Sequence, residues 1–200
     1  MTRDPCAACG ERTGDRRCPS LDRRLCSRCC GSHRGRFVRC PSDCAYYRAA
    51  EERLRERRAR ELERAWALWY RELAGSGDEG IWPHVEILAE ALAALLHRGA
   101  AADAEVEAAL HHLDRSLSPV LVSTAPPPLG RMLAEGGFVH LVHEGKVDGD
   151  RLRKAAQAFA SWLSAYRSPE DPLKLVRGLL GLFPPSEAPK GLIVRPRGPA

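Results

Sequence analysis

Residues 6–44 read CAACGERTGDRRCPSLDRRLCSRCCGSHRGRFVRCPSDC, and all eight cysteines of the 200-residue chain lie inside this stretch. They are Cys6, Cys9, Cys18, Cys26, Cys29, Cys30, Cys40 and Cys44, with His33 among them. Tetrahedral zinc takes four N or S donors, and a Cys-x2-Cys turn presents two of them without straining the backbone. The two Cys-x2-Cys pairs, the Cys-x3-Cys pair and the two further thiols therefore supply ligands for two closed sites. No coordination position is left over for water or substrate, so both zinc ions are read as structural.

The rival reading is a disulfide framework, because an even number of cysteines in a short segment also marks a stapled secreted domain. The opening residues Met1 to Cys6 contain no apolar run of signal-peptide length, and no stretch is apolar enough for a membrane helix. The 156 residues after Cys44 contain no cysteine. A cytoplasmic chain that confines its thiols to knuckles uses them for metal, which is the reading preferred here; an iron–sulfur cluster or a redox thiol site shares the motif. If consecutive ligand pairs alternate between metals, Cys6, Cys9, Cys26 and Cys29 hold the first zinc. Cys18, Cys40 and Cys44 then hold the second, with either Cys30 or His33 as its fourth ligand.

The spacing Cys6-x2-Cys9-x8-Cys18-x7-Cys26-x2-Cys29, followed by His33 and Cys40-x3-Cys44, resembles the cross-brace zinc fingers of the B-box and MYND type. The resemblance covers residues 6–44 only and is one of ligand spacing. It implies a two-zinc module with little apolar core that acts as a protein-interaction or self-association surface. The lone Cys18, the Cys29-Cys30 doublet and the final cysteine pair depart from that pattern.

Charge narrows what such a module binds. Residues 1–44 carry ten arginines against five acids, a formal +5 that reads at first as a nucleic-acid footprint. Eight thiolates and two Zn²⁺ bring the module to about +1, so much of the arginine content offsets sulfur charge. Phe37 is the one aromatic before Tyr46, which leaves little for base stacking. Phosphate contact through Arg16, Arg17, Arg23, Arg24, Arg34, Arg36 and Arg39 is kept as the alternative.

Working outward, residues 46–74 alternate Glu and Arg with Tyr47, Ala50, Leu54, Leu62, Ala65, Trp69 and Leu73 near one stripe, the pattern of one long helix leaving the last cysteine pair. Glu51 with Arg55 and Glu56 with Arg60 sit four apart in the favourable order. Gly75-Ser76-Gly77 is expected to end it. Trp66, Trp69 and Tyr70 are too much aromatic surface to leave in water and are expected to pack on the C-terminal domain or on another chain.

Residues 80–183 read as a helical domain. Pro83 opens a helix with Val85, Leu88, Ala89, Leu92, Leu95 and Leu96 on one face, and Gly99 closes it. Asp103 is the expected N-cap of its hairpin partner, which buries Val106, Ala109, Leu110, Leu113 and Leu117. Val120 to Ser123 is short and β-branched, and Pro126 to Pro128 form a stiff connector. Leu129 to Glu135 reads as a short helix ended by Gly136-Gly137. Phe138 to His143 fits a strand or a helix. Asp150 is expected to cap a helix bearing Leu152, Ala156, Phe159, Trp162, Leu163 and Tyr166, and a last helix from Pro172 to Phe183 is expected to be interrupted at Gly178 and Gly181. Residues 184–200 are a Pro-rich tail with little to bury, expected to be disordered or extended.

The fold class is therefore mainly α: a zinc module over residues 1–45, a charged helix over 46–75, and a helical domain over 80–183. No phosphate-cradling glycine loop, nucleophile elbow or His-Glu-x2-His is present, and His111-His112 and His140-x2-His143 lack a carboxylate cluster at metal spacing. Residues 75–200 hold thirteen basic and fifteen acidic side chains without a one-sign cluster. The expected function is a cytoplasmic, non-enzymatic zinc protein with a protein partner. The alternatives are a nucleic-acid-binding finger and a redox or metal-responsive sensor in which Cys30 is free because His33 takes its place.

Overall fold

The computed structural model describes residues 4–118 and 125–185, and its architecture is mainly helical with one small two-stranded sheet. The chain divides into two compact units, Met1–Leu54 and Arg55–Ala200, and the division falls inside the long helix rather than before it.

The first unit contains a short antiparallel hairpin of β1 (Arg16–Cys18) and β2 (Arg23–Leu25), with Arg17 opposite Arg24. Its turn passes through Asp22 at φ 48°, a left-handed conformation that Asp tolerates better than most residues. Helix α1 (Ser27–His33) follows at once, its first turn capped by the Cys26 sulfur, which accepts from the Cys29 N–H at 3.4 Å. Neither the hairpin nor α1 is legible in the sequence: both are shorter than the periodicity needed to read them.

Helix α2 (Ala45–Ser76) is continuous and runs through Gly75 and Ser76, ending at Gly77 with φ 79°. Along it only Leu62, Trp66 and Trp69 are buried. Trp66 and Trp69 pack within the second unit, against Trp82 and Phe159, while Tyr70 keeps 41% of its surface exposed although its ring meets Trp82 edge-on. Tyr70 thus departs from the expectation that all three aromatics are covered.

Helices α3 (Trp82–Leu96) and α4 (Asp103–Ser116) place their apolar faces in the common core, with Val85, Leu88, Leu92, Val106, Ala109, Leu110 and Leu113 fully buried. The cap of α4 differs from expectation. Ala102 is the N-cap, its N–H donating to the Glu105 carboxylate at 2.7 Å, and Asp103 instead lies buried inside the fold. Val120 to Ser123 lie outside the described residues.

Helix α5 (Pro128–Leu133) does not stop at the two glycines. It passes through a π-helical segment (Ala134–Phe138), kinked where Gly137 takes φ 145°, into α6 (Val139–His143), so the ambiguous stretch is helical. Asp148, not Asp150, caps α7 (Gly149–Tyr166): its carboxylate accepts from the N–H groups of Asp150 and Arg151, both at 3.0 Å. Those amides hold the Asp148 carboxyl below the usual carboxylate range.

Helix α8 (Lys174–Leu182) is uninterrupted by Gly178 and Gly181. Its glycines mark close passage: a Cβ on Gly178 would lie 3.0 Å from Leu62 Cβ, and one on Gly181 would lie 2.7 Å from the Arg55 carbonyl oxygen. The described chain reaches Pro185, and the rest of the tail lies outside it.

Candidate metal centre

Among its described residues the first unit buries very little that is aliphatic. Its inaccessible apolar side chains are Cys6, Leu25, Cys26 and Val38, with Cys9, Cys18, Cys29 and Cys30 packed around the first three. Two aliphatic side chains contribute on the order of 3–6 kcal/mol on burial. A structural zinc contributes about 10–16 kcal/mol. A zinc ion held by the clustered thiols would therefore outweigh the hydrophobic burial of this unit.

Cys6, Cys9, Cys26 and Cys29 come together as the sequence spacing implies. Their four Sγ atoms all lie within 4.8 Å of one another, with Cys6 and Cys26 buried and Cys9 and Cys29 half-buried. Tetrahedral sulfurs each about 2.3 Å from zinc stand about 3.8 Å apart, so sulfurs all within 4.8 Å of one another are at most about 1 Å from closing on one ion.

Local backbone explains the approach. The Cys6 N–H donates to the Arg12 carbonyl at 2.7 Å and the Gly10 N–H returns to the Cys6 carbonyl at 2.8 Å, folding Cys6 to Gly10 into a tight turn that Gly10 completes at φ 69°. The Ala7 N–H donates to the Arg24 carbonyl at 2.9 Å and ties that turn to β2. Gly14 lies so close to Arg24 that a Cβ there would meet the Arg24 Cβ at 2.7 Å. The second pair begins where β2 ends, with Cys26 capping α1 and Cys29 one turn inside it.

The electrostatics suit a cation. Backbone hydrogen bonding from Cys26, reinforced by Cys9 and Ala8, pulls the Cys6 thiol down to about 6. Cys29 is pushed up to about 12, first by its hydrogen bond with the Cys26 thiol and then by burial and the neighbouring sulfurs. One thiolate forms readily and the next is opposed by the first, which is the penalty a dication removes.

The other four cysteines border one common cavity. Cys18, Cys30, Cys40 and Cys44 line a space of about 10 Å³ together with Leu25 and Tyr46. They are less tightly gathered: among the described residues, the Cys6 set is the one group of three or more ligating atoms that all fall within 4.8 Å. The Cys40 thiol donates to the Val38 carbonyl at 3.7 Å, and an Arg34 Nη lies 4.0 Å from the Cys30 sulfur. His33 is engaged elsewhere, with Nδ1 2.7 Å from the Cys29 carbonyl oxygen and its ring edge-on to Phe37 at 5.6 Å.

Several arginines considered for phosphate contact already have local partners. Arg16 stacks over the Tyr46 ring at 4.9 Å, Arg17 pairs with Asp22 at 2.8 Å, and Arg24 reaches Asp4 and the Gly14 carbonyl. Arg36 and Arg39 are exposed beside Phe37, which keeps 80% of its surface in solvent.

In the second unit, His140 pairs with Glu144 at 3.1 Å, and Glu144 also meets Lys146 at 2.7 Å. His112, half-buried, lies with Nε2 3.3 Å from the Ser116 hydroxyl, and burial lowers its pKa. No helix among the described residues is long and apolar enough to cross a membrane. Compared with protein families, curated proteins and solved structures, the chain finds no match.

Proposed function

We propose that this chain is a non-enzymatic zinc protein whose N-terminal module is folded by metal and serves as a docking element for a protein partner. The four-thiol cluster of Cys6, Cys9, Cys26 and Cys29 carries the reading: soft donors, all within 4.8 Å, with no water-facing ligand position to spare. The sparse apolar core supports the same view, since a unit with Leu25 and Val38 as its buried aliphatics draws its fold from sulfur and metal. The second ion of a two-zinc module falls to the remaining cysteines.

The docking role is supported by Phe37. A large aromatic with 80% of its surface exposed, held by the His33 ring and flanked by Arg36 and Arg39, suits a partner offering an apolar pocket rimmed by acidic groups. The engagement of Arg16, Arg17 and Arg24 in local contacts favours this over nucleic acid, which needs free cations along a backbone path.

The test uses the full chain as bait, with and without chelator, beside Phe37→Asp. The expected outcome is a partner retained by the zinc-loaded protein and lost in both other arms. Binding to random duplex that falls steeply with salt, and that survives Phe37→Asp, would favour the nucleic-acid alternative.

A further inference from the structure

The Cys29-Cys30 doublet is what a helix needs to serve two metals at once. Adjacent residues on an α-helix point about 100° apart. In α1, Cys29 belongs to the four-sulfur cluster with Cys6, Cys9 and Cys26, whereas Cys30 borders the separate cavity shared with Cys18, Cys40 and Cys44. Those four reach the cavity from the end of β1, from α1, from the segment between the helices, and from the residue just before α2.

We infer that Cys18, Cys30, Cys40 and Cys44 form a second, all-thiolate metal site, and that His33 is not its ligand. The inference rests on the metal-folded module proposed above and names its second set of donors.

Size and donor chemistry agree, and the four sulfurs must draw closer together than they stand here to close on one ion. A cavity of about 10 Å³ holds about one atom the size of a water. Its other walls include Leu25, Pro41 and Tyr46, and no carboxylate or imidazole lines it, so the ion it takes is thiophilic: zinc rather than calcium or magnesium. The Arg34 guanidinium near Cys30 and the Arg16 guanidinium over the Tyr46 ring supply positive charge close to four thiolates, which carry a net −2 once one Zn²⁺ is bound. Binding replaces the weak bond from the Cys40 thiol to the Val38 carbonyl and releases the thiol protons to solvent. His33, absent from the cavity wall, is held by its contact with the Cys29 carbonyl.

The test is a paired count on the full-length, zinc-loaded protein: zinc per chain by elemental analysis, and rapidly reacting thiols under native conditions. Two zincs and no reactive thiol are expected from the eight cysteines. Two zincs with one reactive thiol would give the fourth place to His33 and overturn the ligand set. One zinc with four reactive thiols would remove the second site while leaving the Cys6 cluster intact, and no zinc at all would remove both readings. Cys44→Ser should lower the count from two to one, and His33→Ala should leave it at two. Should Cys44→Ser fail to fold, cobalt-substituted wild-type protein decides. Equal thiolate charge-transfer intensity from both ions supports four sulfurs at each, and a weaker second ion contradicts it.

Discussion

The units on either side of the Leu54–Arg55 division are built from opposite resources. Among the described residues, the N-terminal one buries two aliphatic side chains and a nest of sulfurs, and the C-terminal one buries 27 apolar residues in a single cluster. Phe159 and Trp69 stand at the centre of an aromatic set that runs through Trp162 to Tyr166. On the proposed reading the first unit takes its fold from bound metal, while the second has a large apolar core of its own. The chain should therefore be able to lose the first and keep the second.

The largest effect is expected from Cys26→Ser. It removes a buried member of the four-thiol cluster whose sulfur also caps α1, so the N-terminal unit should lose its ordered amide signals while the helical unit keeps its cooperative melting transition. A single transition that drops for the whole chain would show that the two units share one stability. Next comes the reverse experiment. Phe159→Ala empties a fully buried site among Trp66, Trp69 and Trp162 and should destabilise the helical unit by about 3–5 kcal/mol with zinc content unchanged. Loss of metal in that variant would tie the module to the core.

A smaller effect concerns Asp103, 1% exposed, whose carboxylate accepts from the Leu175 N–H at 3.0 Å and the Val176 N–H at 3.1 Å and so caps α8 from 72 residues away. Asp103→Ala leaves those amides without their partner and should cost about 1–3 kcal/mol in denaturant unfolding. Burial raises the Asp103 pKa above its ordinary value, with the nearby Asp171 charge acting in the same direction. A raised carboxyl binds its proton more tightly folded than unfolded, so its stabilising contribution is full below the ordinary pKa and declines as pH rises through the folded value. Asp103→Asn should flatten that decline in a series of melts from acid to neutral pH, and an unchanged slope would assign it to another group. Smallest of all, Phe37→Ala should leave both zinc content and melting unchanged, because the ring is already in water. A measurable loss of stability would make Phe37 a structural residue instead of a contact.

These differences follow what the sequence could carry. Ligand spacing is a local signal, so the pairing of Cys6 and Cys9 with Cys26 and Cys29 was legible, as were α2, α3 and the apolar face of α7, each long enough for periodicity to speak. What was not legible depends on contacts between distant segments or on single-residue geometry. Asp103 looked like a cap for its own helix because sequence shows only local amides, whereas its partners lie on α8. Gly178 and Gly181 looked like helix breakers because their use, close passage of Leu62 and the Arg55 backbone, is tertiary. Gly136-Gly137 looked like a stop because two glycines weaken a helix, but one residue at φ 145° turns the chain and lets it continue. The hairpin of β1 and β2 is three charged-rich residues a side, and nothing in its composition marks it. The choice between Cys30 and His33 is open in the sequence because both lie close to Cys29; the ligand set proposed above for the second site rests on the cavity lining and on the His33 contact with the Cys29 carbonyl, neither of which spacing carries.

Whether metal folds the N-terminal unit is decided by elemental analysis of the full chain purified without chelator, followed by chelation while the N-terminal amides are watched by NMR. Bound zinc is expected, with selective loss of the signals from residues 4–44 when it is stripped. A metal-free protein whose cysteines are joined in disulfides, with those signals indifferent to chelator, would contradict that expectation.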